Sequence, residues 1–297
     1  MVNNLQIIIH SPLINVQFPG NAFMIYEVMI QVATFDILPT DDWFPIVLTE
    51  LPEEDPYSDK FDRLNYGSVF TIMNMGTMLI IFLYYALLYL IYPVMWFFAR
   101  FSKRVKKLSS KLEDMLFWNH GIVFIQEGFL EIMIAAYINF DYMSKQDDPW
   151  SNSNIIFNNA VTIFLTAATF VLFLTIAFYL WPKIGQIKKR RFKKRYGSAY
   201  DTIRTNRSKW AMFTPLFFFV RRGLLVVAVC AMIEYPTFQI LFFLLPTLVV
   251  MVNLGQVEPL STRKENKLEM YNSWSILCLT YCLLCLTQFV PDAHARY

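Results

Sequence analysis

The chain reads as an all-α, polytopic membrane protein, with about six transmembrane helices and a broken or re-entrant hydrophobic segment before them. Three observations carry this. Of its 297 residues, 56% are hydrophobic and only 16% charged, against about 25% charged in an ordinary soluble domain. Six apolar stretches approach or exceed the roughly 20 residues that a helix needs to cross the hydrocarbon core. The loops between them alternate in charge. Phe is abundant at 28 residues, with 16 Tyr and 7 Trp, which suits a lipid-facing surface with aromatic ends at the interfaces.

Residues 1–38 form an N-terminal apolar segment that Pro12, Pro19 and Gly20 interrupt. Two half-length pieces fit it, and so does one crossing at 21–38. Broken backbone at membrane depth is tolerated only where protein covers it. Residues 39–67 follow as an acidic external loop, with eight acids against Lys60 and Arg63. Pro45, Pro52 and Pro56, without any EF-hand spacing, make it a solvated loop rather than a calcium site. A six-helix transmembrane domain occupies 68–290. Its crossings are expected at 68–99, with a tilt or a kink at Pro93, and at 118–140, 155–181, 212–233, 236–254 and 271–290. A short external tail, 291–297, completes the chain.

Orientation follows from Lys and Arg in the short loops. The segment 100–117 holds six such residues, 182–210 eleven and 255–270 three, which is 20 of the chain's 26. The intervening loops, 39–67, 141–154 and 234–235, are acidic. Basic loops are therefore placed in the cytoplasm, and the 39–67 loop and C-terminus outside, with a plasma or ciliary membrane as the expected location. Nothing at the start of the chain reads as a cleavable signal peptide.

Charged residues within apolar runs are the polar signal to explain. Glu127 and Glu131 lie four apart on one expected helix face. Arg221 and Arg222 fall mid-helix in FFFVRRGLLVV, and Glu27 sits in the N-terminal segment. Ionised groups at such depth pair inside the bundle, so these five are expected to form a buried ion-pair network, Glu127 and Glu131 facing Arg221 or Arg222. It serves either as a lock on helix packing or as a coupling or ion-path element. The lock ranks first because no repeating charge ladder accompanies it; snorkelling of the arginines to the surface is a third reading. The run Lys188, Lys189, Arg190, Arg191, Lys193, Lys194 and Arg195 suits anionic phospholipid head groups, or acts only as a topology determinant. The following segment, 196–210, reads as an amphipathic helix in the interface.

Catalytic chemistry finds no footing. No GxGxxG, P-loop, HExxH or GxSxG pattern occurs. His10, His120 and His294 are scattered. Cys278, Cys282 and Cys285 form a helical stripe, better read as a face of small residues than as a metal site. No cofactor, metal, catalytic residue or nucleic-acid partner is expected. The expected partners are the bilayer, its anionic lipids and other membrane subunits.

Four segments carry a family resemblance: LQIIIHSPLINVQFPGNAF with FDILP at 35–39, DKFDRLNYGSVFTIMNMG at 59–76, RFKKRYGSAYDTIRTN with FFFVRRGLLVVAV at 191–229, and KLEMYNSW with LTQFVPDAHARY at 267–297. Together they resemble the C-terminal multipass module of the cysteine-rich (furin-like or growth-factor-receptor-like repeat) membrane proteins of ciliates, a module loosely similar to transient-receptor-potential and polycystin channels. The cysteine-rich ectodomain of that family is absent here, and its members resemble a continuation beyond Tyr297. The resemblance implies a membrane anchor or assembly subunit, or alternatively a cation channel subunit. A transporter is the third possibility, but the crossings do not divide into the similar halves it calls for. The anchor ranks above the channel because the loop between the last two crossings, 255–270, is basic and cytoplasmic and carries no selectivity filter.

Overall fold

The computed structural model describes residues 2–33, 51–180 apart from residue 53, 196–204 apart from residue 201, and 208–288, together with residues 182, 183, 189, 192 and 290. The described chain is all-helical, and its one β-type contact is an isolated bridge between Ile203 and Leu260. Among the described residues, four helices are long and apolar enough to cross a membrane, or five if one bent pair is counted as a span.

The N-terminal segment is broken, as its prolines dictate. Helix α1, Val2–Ile9, gives way to a 3₁₀ turn at Ser11–Leu13, and α2, Gly20–Ala33, starts after Pro19. At about 1.5 Å per residue α2 extends about 21 Å, short of the bilayer core. Residues 34–38, the rest of the crossing considered for 21–38, lie outside the described residues. Far from being peripheral, α1 and its turn enter the core: Ile7, Ile9, His10, Ser11 and Ile14 are fully buried. Lys60 fastens them. Beyond helix α3, Asp59–Asp62, which contributes Lys60, the Lys60 ammonium donates to the carbonyls of Ile14 and Val16 at 3.2 and 2.9 Å, and burial lowers its pKa below the ordinary lysine value.

The first expected crossing, 68–99, is shorter than its apolar run. Gly76, at φ 45°, takes a left-handed conformation that favours glycine, and it separates a one-turn helix α4, Thr71–Asn74, from α5, Thr77–Phe98. Helix α5 runs through Pro93 without interruption. The 68–76 stretch instead wedges between two later helices, where Thr71 donates to the Ala135 carbonyl (3.2 Å), accepts from Thr162 (2.8 Å), and the Ile72 N–H reaches Asn158 (3.1 Å).

After α5 comes a basic amphipathic helix, α6, Lys103–Asp114, then a π-helical turn at Met115–His120. The second expected crossing is the bent pair: α7, Gly121–Glu127, and α8, Phe129–Lys145, meet at Gly128 with a 71° bend. Helix α9, Ser153–Leu174, is capped by the Asn152 side chain and continues through a π-helical turn to Leu180. Helix α10, Thr214–Ala231, and α11, Pro236–Val257, each begin on a proline in the first turn, where its missing N–H costs nothing.

Helix α12, Arg263–Cys285, takes the place of the sixth expected crossing, 271–290. Its first seven residues include Arg263, Lys264, Glu265, Lys267 and Glu269, which leaves an apolar part of about 24 Å at 1.5 Å per residue, below the roughly 30 Å core. A capping box starts it: the Thr262 hydroxyl accepts from the Glu265 N–H, and the Glu265 carboxylate accepts from the Thr262 N–H. We predict that Thr262→Ala costs about 1 kcal/mol of stability, measured as a lower melting temperature in detergent. Hydrogen bonds from Ser261 and Thr262 hold the Glu265 carboxyl below the usual carboxylate range. A depressed folded value means that the charged cap contributes fully at neutral pH and fades as pH falls through that value.

The segment 196–210 is not an amphipathic helix in its described parts. It forms a 3₁₀ turn at Gly197–Ala199, then pairs edgewise with 259–261: the Arg204 N–H donates to Pro259 and the Ser261 N–H to Thr202, at 2.6 and 2.9 Å. Those bonds occupy backbone groups that a helix would need. The basic run before it lies outside the described residues except for exposed Lys189; Phe192 packs on Tyr196 with ring centroids 5.1 Å apart.

The core lies where α1, α8, α10, α11 and α12 converge, around Ile7, Leu130, Ile134, Phe219, Phe243 and Ile276. The outward surface is greasy: Leu90 is 74% exposed and Phe178 73%, a distribution suited to lipid.

Candidate functional site

The most unusual chemistry in the fold is a polar seam buried at that convergence. Helix α10 carries Arg221 and Arg222 into it because they fall on the face opposite exposed Val220 and Val227; Arg222 is fully buried and Arg221 nearly so. The guanidinium of Arg222 lies over the Phe218 ring, 3.7 Å from its centroid. Glu127 and Glu269 attract it electrostatically, and Arg221 repels it.

Arg221 is held differently. Its Nη2 donates to the Asn4 side-chain oxygen, and Asn4 Nδ2 donates onward to the Glu269 carboxylate at 2.7 Å. Asn4 thus relays between a cation on α10 and an acid on α12. Among the described residues, Arg221 Nε and Nη1 are buried without a hydrogen-bond partner, so the Asn4 contact is the main polar compensation seen for this charge. Two residues on, Gln6 donates to the backbone carbonyl of Glu127 at 2.8 Å. That carbonyl is orphaned by the end of α7, so α1 caps the break in the bent pair.

The seam continues through His10. Its Nδ1 lies 2.7 Å from the Gln6 carbonyl, which can only accept, so Nδ1 carries the proton. Nε2 of the neutral ring then accepts from the Tyr66 hydroxyl at 2.8 Å. Glu131 lines a cavity of about 320 Å³ together with Asp62, Tyr66, Ser68, Asn74 and Gly76.

The five residues singled out from the sequence are therefore spread over three environments. Glu127 and the arginine pair share one electrostatic neighbourhood with Glu269. Glu131 sits in the first turn of α8, beyond the 71° bend, and the bend removes the common helix face expected for Glu127 and Glu131. Glu27 is elsewhere: it binds Arg63 at 2.7 Å, half-exposed, with Arg63 also over the Phe23 ring. It leaves the expected network because α2 brings it, with Phe23, against Arg63 of the 39–67 segment.

Asn4, Gln6, His10, Tyr66 and Glu269 belong to the seam although sequence reasoning misses them. For Asn4, Gln6 and His10 the available signal is a polar side chain within the apolar run around LQIII; nothing comparable marks Tyr66 or Glu269. Among the described residues, no three His, Cys, Asp or Glu side chains gather as a metal site. The cysteines are free thiols, Cys230 buried and Cys282 and Cys285 exposed. Comparison of the chain with protein families, with curated proteins and with solved structures gives no match.

Proposed function

We propose that this chain is a non-catalytic multipass module that anchors and assembles other subunits in a plasma or ciliary membrane, as its resemblance to the ciliate membrane module implies. About six crossings are assigned, with the short α12 as the last, the basic loops cytoplasmic, and the acidic loop and C-terminus outside. The run 188–195 contacts anionic head groups.

The observation that carries this reading is α5. It is long enough to span, yet only 6% of its apolar window is buried within the fold. A helix so lightly used by its own bundle offers its flank to lipid and to neighbouring subunits, while the buried seam holds the remaining helices in one arrangement. Breaking such a seam is costly, which suits a rigid support.

A cation channel subunit is the second reading. The bent pair at Gly128 and the cavity beside Glu131 favour it, because interrupted helices and intramembrane acids recur along ion paths. Native purification separates the two. A stoichiometric complex with other membrane proteins supports the anchor. A homo-oligomer whose cation conductance in planar bilayers disappears in Glu131→Gln would replace it with the channel.

A further inference from the structure

We propose that the elbow between α5 and α6 is a binding site for the phosphate of an anionic phospholipid, distinct from the 188–195 run. The inference rests on the reading of α5 as a membrane crossing.

Three independent features meet at this elbow. Depth comes first. Trp96, Phe97, Phe98 and Phe101 are all at least half exposed at the end of α5, and aromatic side chains left uncovered at the end of a spanning helix mark the head-group level. Amphipathicity is the second. In α6, Val105, Leu108 and Leu112 recur at i, i+3 and i+7, and Lys103, Lys107 and Lys111 run along the other side. A helix patterned this way lies in the interface with its cations among the head groups.

The third is a receptacle. A cavity of about 670 Å³ opens in the angle of the elbow, lined by Trp96, Arg100, Lys103, Lys106, Ser109 and Ser110 among others. Lys103, Lys106, Ser109 and Ser110 share one face of α6, at i, i+3, i+6 and i+7, and the guanidinium of Arg100 lies 4.6 Å from the centroid of the Trp96 ring. Three cations and two hydroxyls thus line one space, with Glu113 the acid among the described residues that line it. Lipid is the occupant because the charge is positive, the aromatic collar fixes the site at head-group depth, and the exposed side of α5 supplies an apolar surface for the acyl chains.

The test is native mass spectrometry of the full chain, purified in detergent and titrated with phosphatidylserine or with phosphatidylcholine. Recovery only with detergent checks the membrane reading separately. Each cation near an anionic surface contributes about 1 kcal/mol, a factor of about five in affinity. The triple variant Arg100→Gln, Lys103→Gln, Lys106→Gln should therefore lose at least tenfold in phosphatidylserine binding with phosphatidylcholine unchanged. Lys103→Arg with Lys106→Arg should retain it, which shows that the loss is one of charge and not of folding. The variant Arg104→Gln, Lys107→Gln, Lys111→Gln removes the same charge away from the cavity and should lose less. Equal losses in the two triple variants, unchanged binding in the first, or displacement of the lipid by soluble glycerophosphate would each overturn the site.

Discussion

Replacing Asn4 by Leu is expected to destabilise the protein by about 3 kcal/mol, although Asn4 is a neutral residue eight positions from the nearest proline and looks unremarkable in sequence. The physical reason is its double role. It accepts from Arg221 and donates to Glu269, so the substitution removes the hydrogen bond from a nearly fully buried cation and takes this donor away from the Glu269 carboxylate as well. Stranding one member of a buried charged set typically costs 3–5 kcal/mol, and hydrogen bonds to charged groups contribute about 1.5–3. Thermal unfolding in detergent measures this directly. Glu269→Gln provides the control: it keeps an oxygen for Asn4 to donate to and should cost less than Asn4→Leu. If Asn4→Leu melts with the wild type, Arg221 is not held through α1.

Gly128→Val should be the second most damaging change, by about 2 kcal/mol. A Cβ at this position would stand 2.3 Å from Met78 Cε, 3.2 Å from Ile132 Cδ1 and 3.3 Å from the Phe124 carbonyl oxygen. The Met78 tip is flexible and yields to a single methyl group, so Gly128→Ala is tolerated far better. A β-branched side chain also presses on Ile132 and on backbone, and such overpacking costs about 1–3 kcal/mol. Adding Met78→Ala to Gly128→Val should recover a good part of the loss, because the two sites share one contact. Absence of any recovery would mean that α5 does not press on the bend.

These two positions mark the boundary of what was legible. The all-helical class and its helices of membrane-spanning length were readable because runs such as Thr77–Phe98 and Pro236–Val257 are apolar throughout and as long as a bilayer core requires. The buried arginines were readable for the same reason, since charge within FFFVRRGLLVV must be enclosed. Partner identity was not. Glu269 looked like part of a basic loop, and Asn4 looked incidental, because nothing in one dimension brings residues 4, 221 and 269 together. Likewise, the i, i+4 spacing of Glu127 and Glu131 predicts a shared face only while the helix is continuous, and Gly128 breaks it at 71°. Glu27 was drawn to the arginines by its sign alone, and the packing of α2 gave it Arg63 instead.

By itself, then, the sequence determined the helical class and the apolar runs long enough to cross a membrane, because hydropathy is a local sum that survives any rearrangement of the helices. Tertiary structure alone decided which buried charges are neighbours, where the second crossing bends, and that the N-terminal segment is part of the core. Those outcomes depend on contacts between residues from tens to hundreds of positions apart, whose energies are comparable to one another and are resolved only when the helices pack.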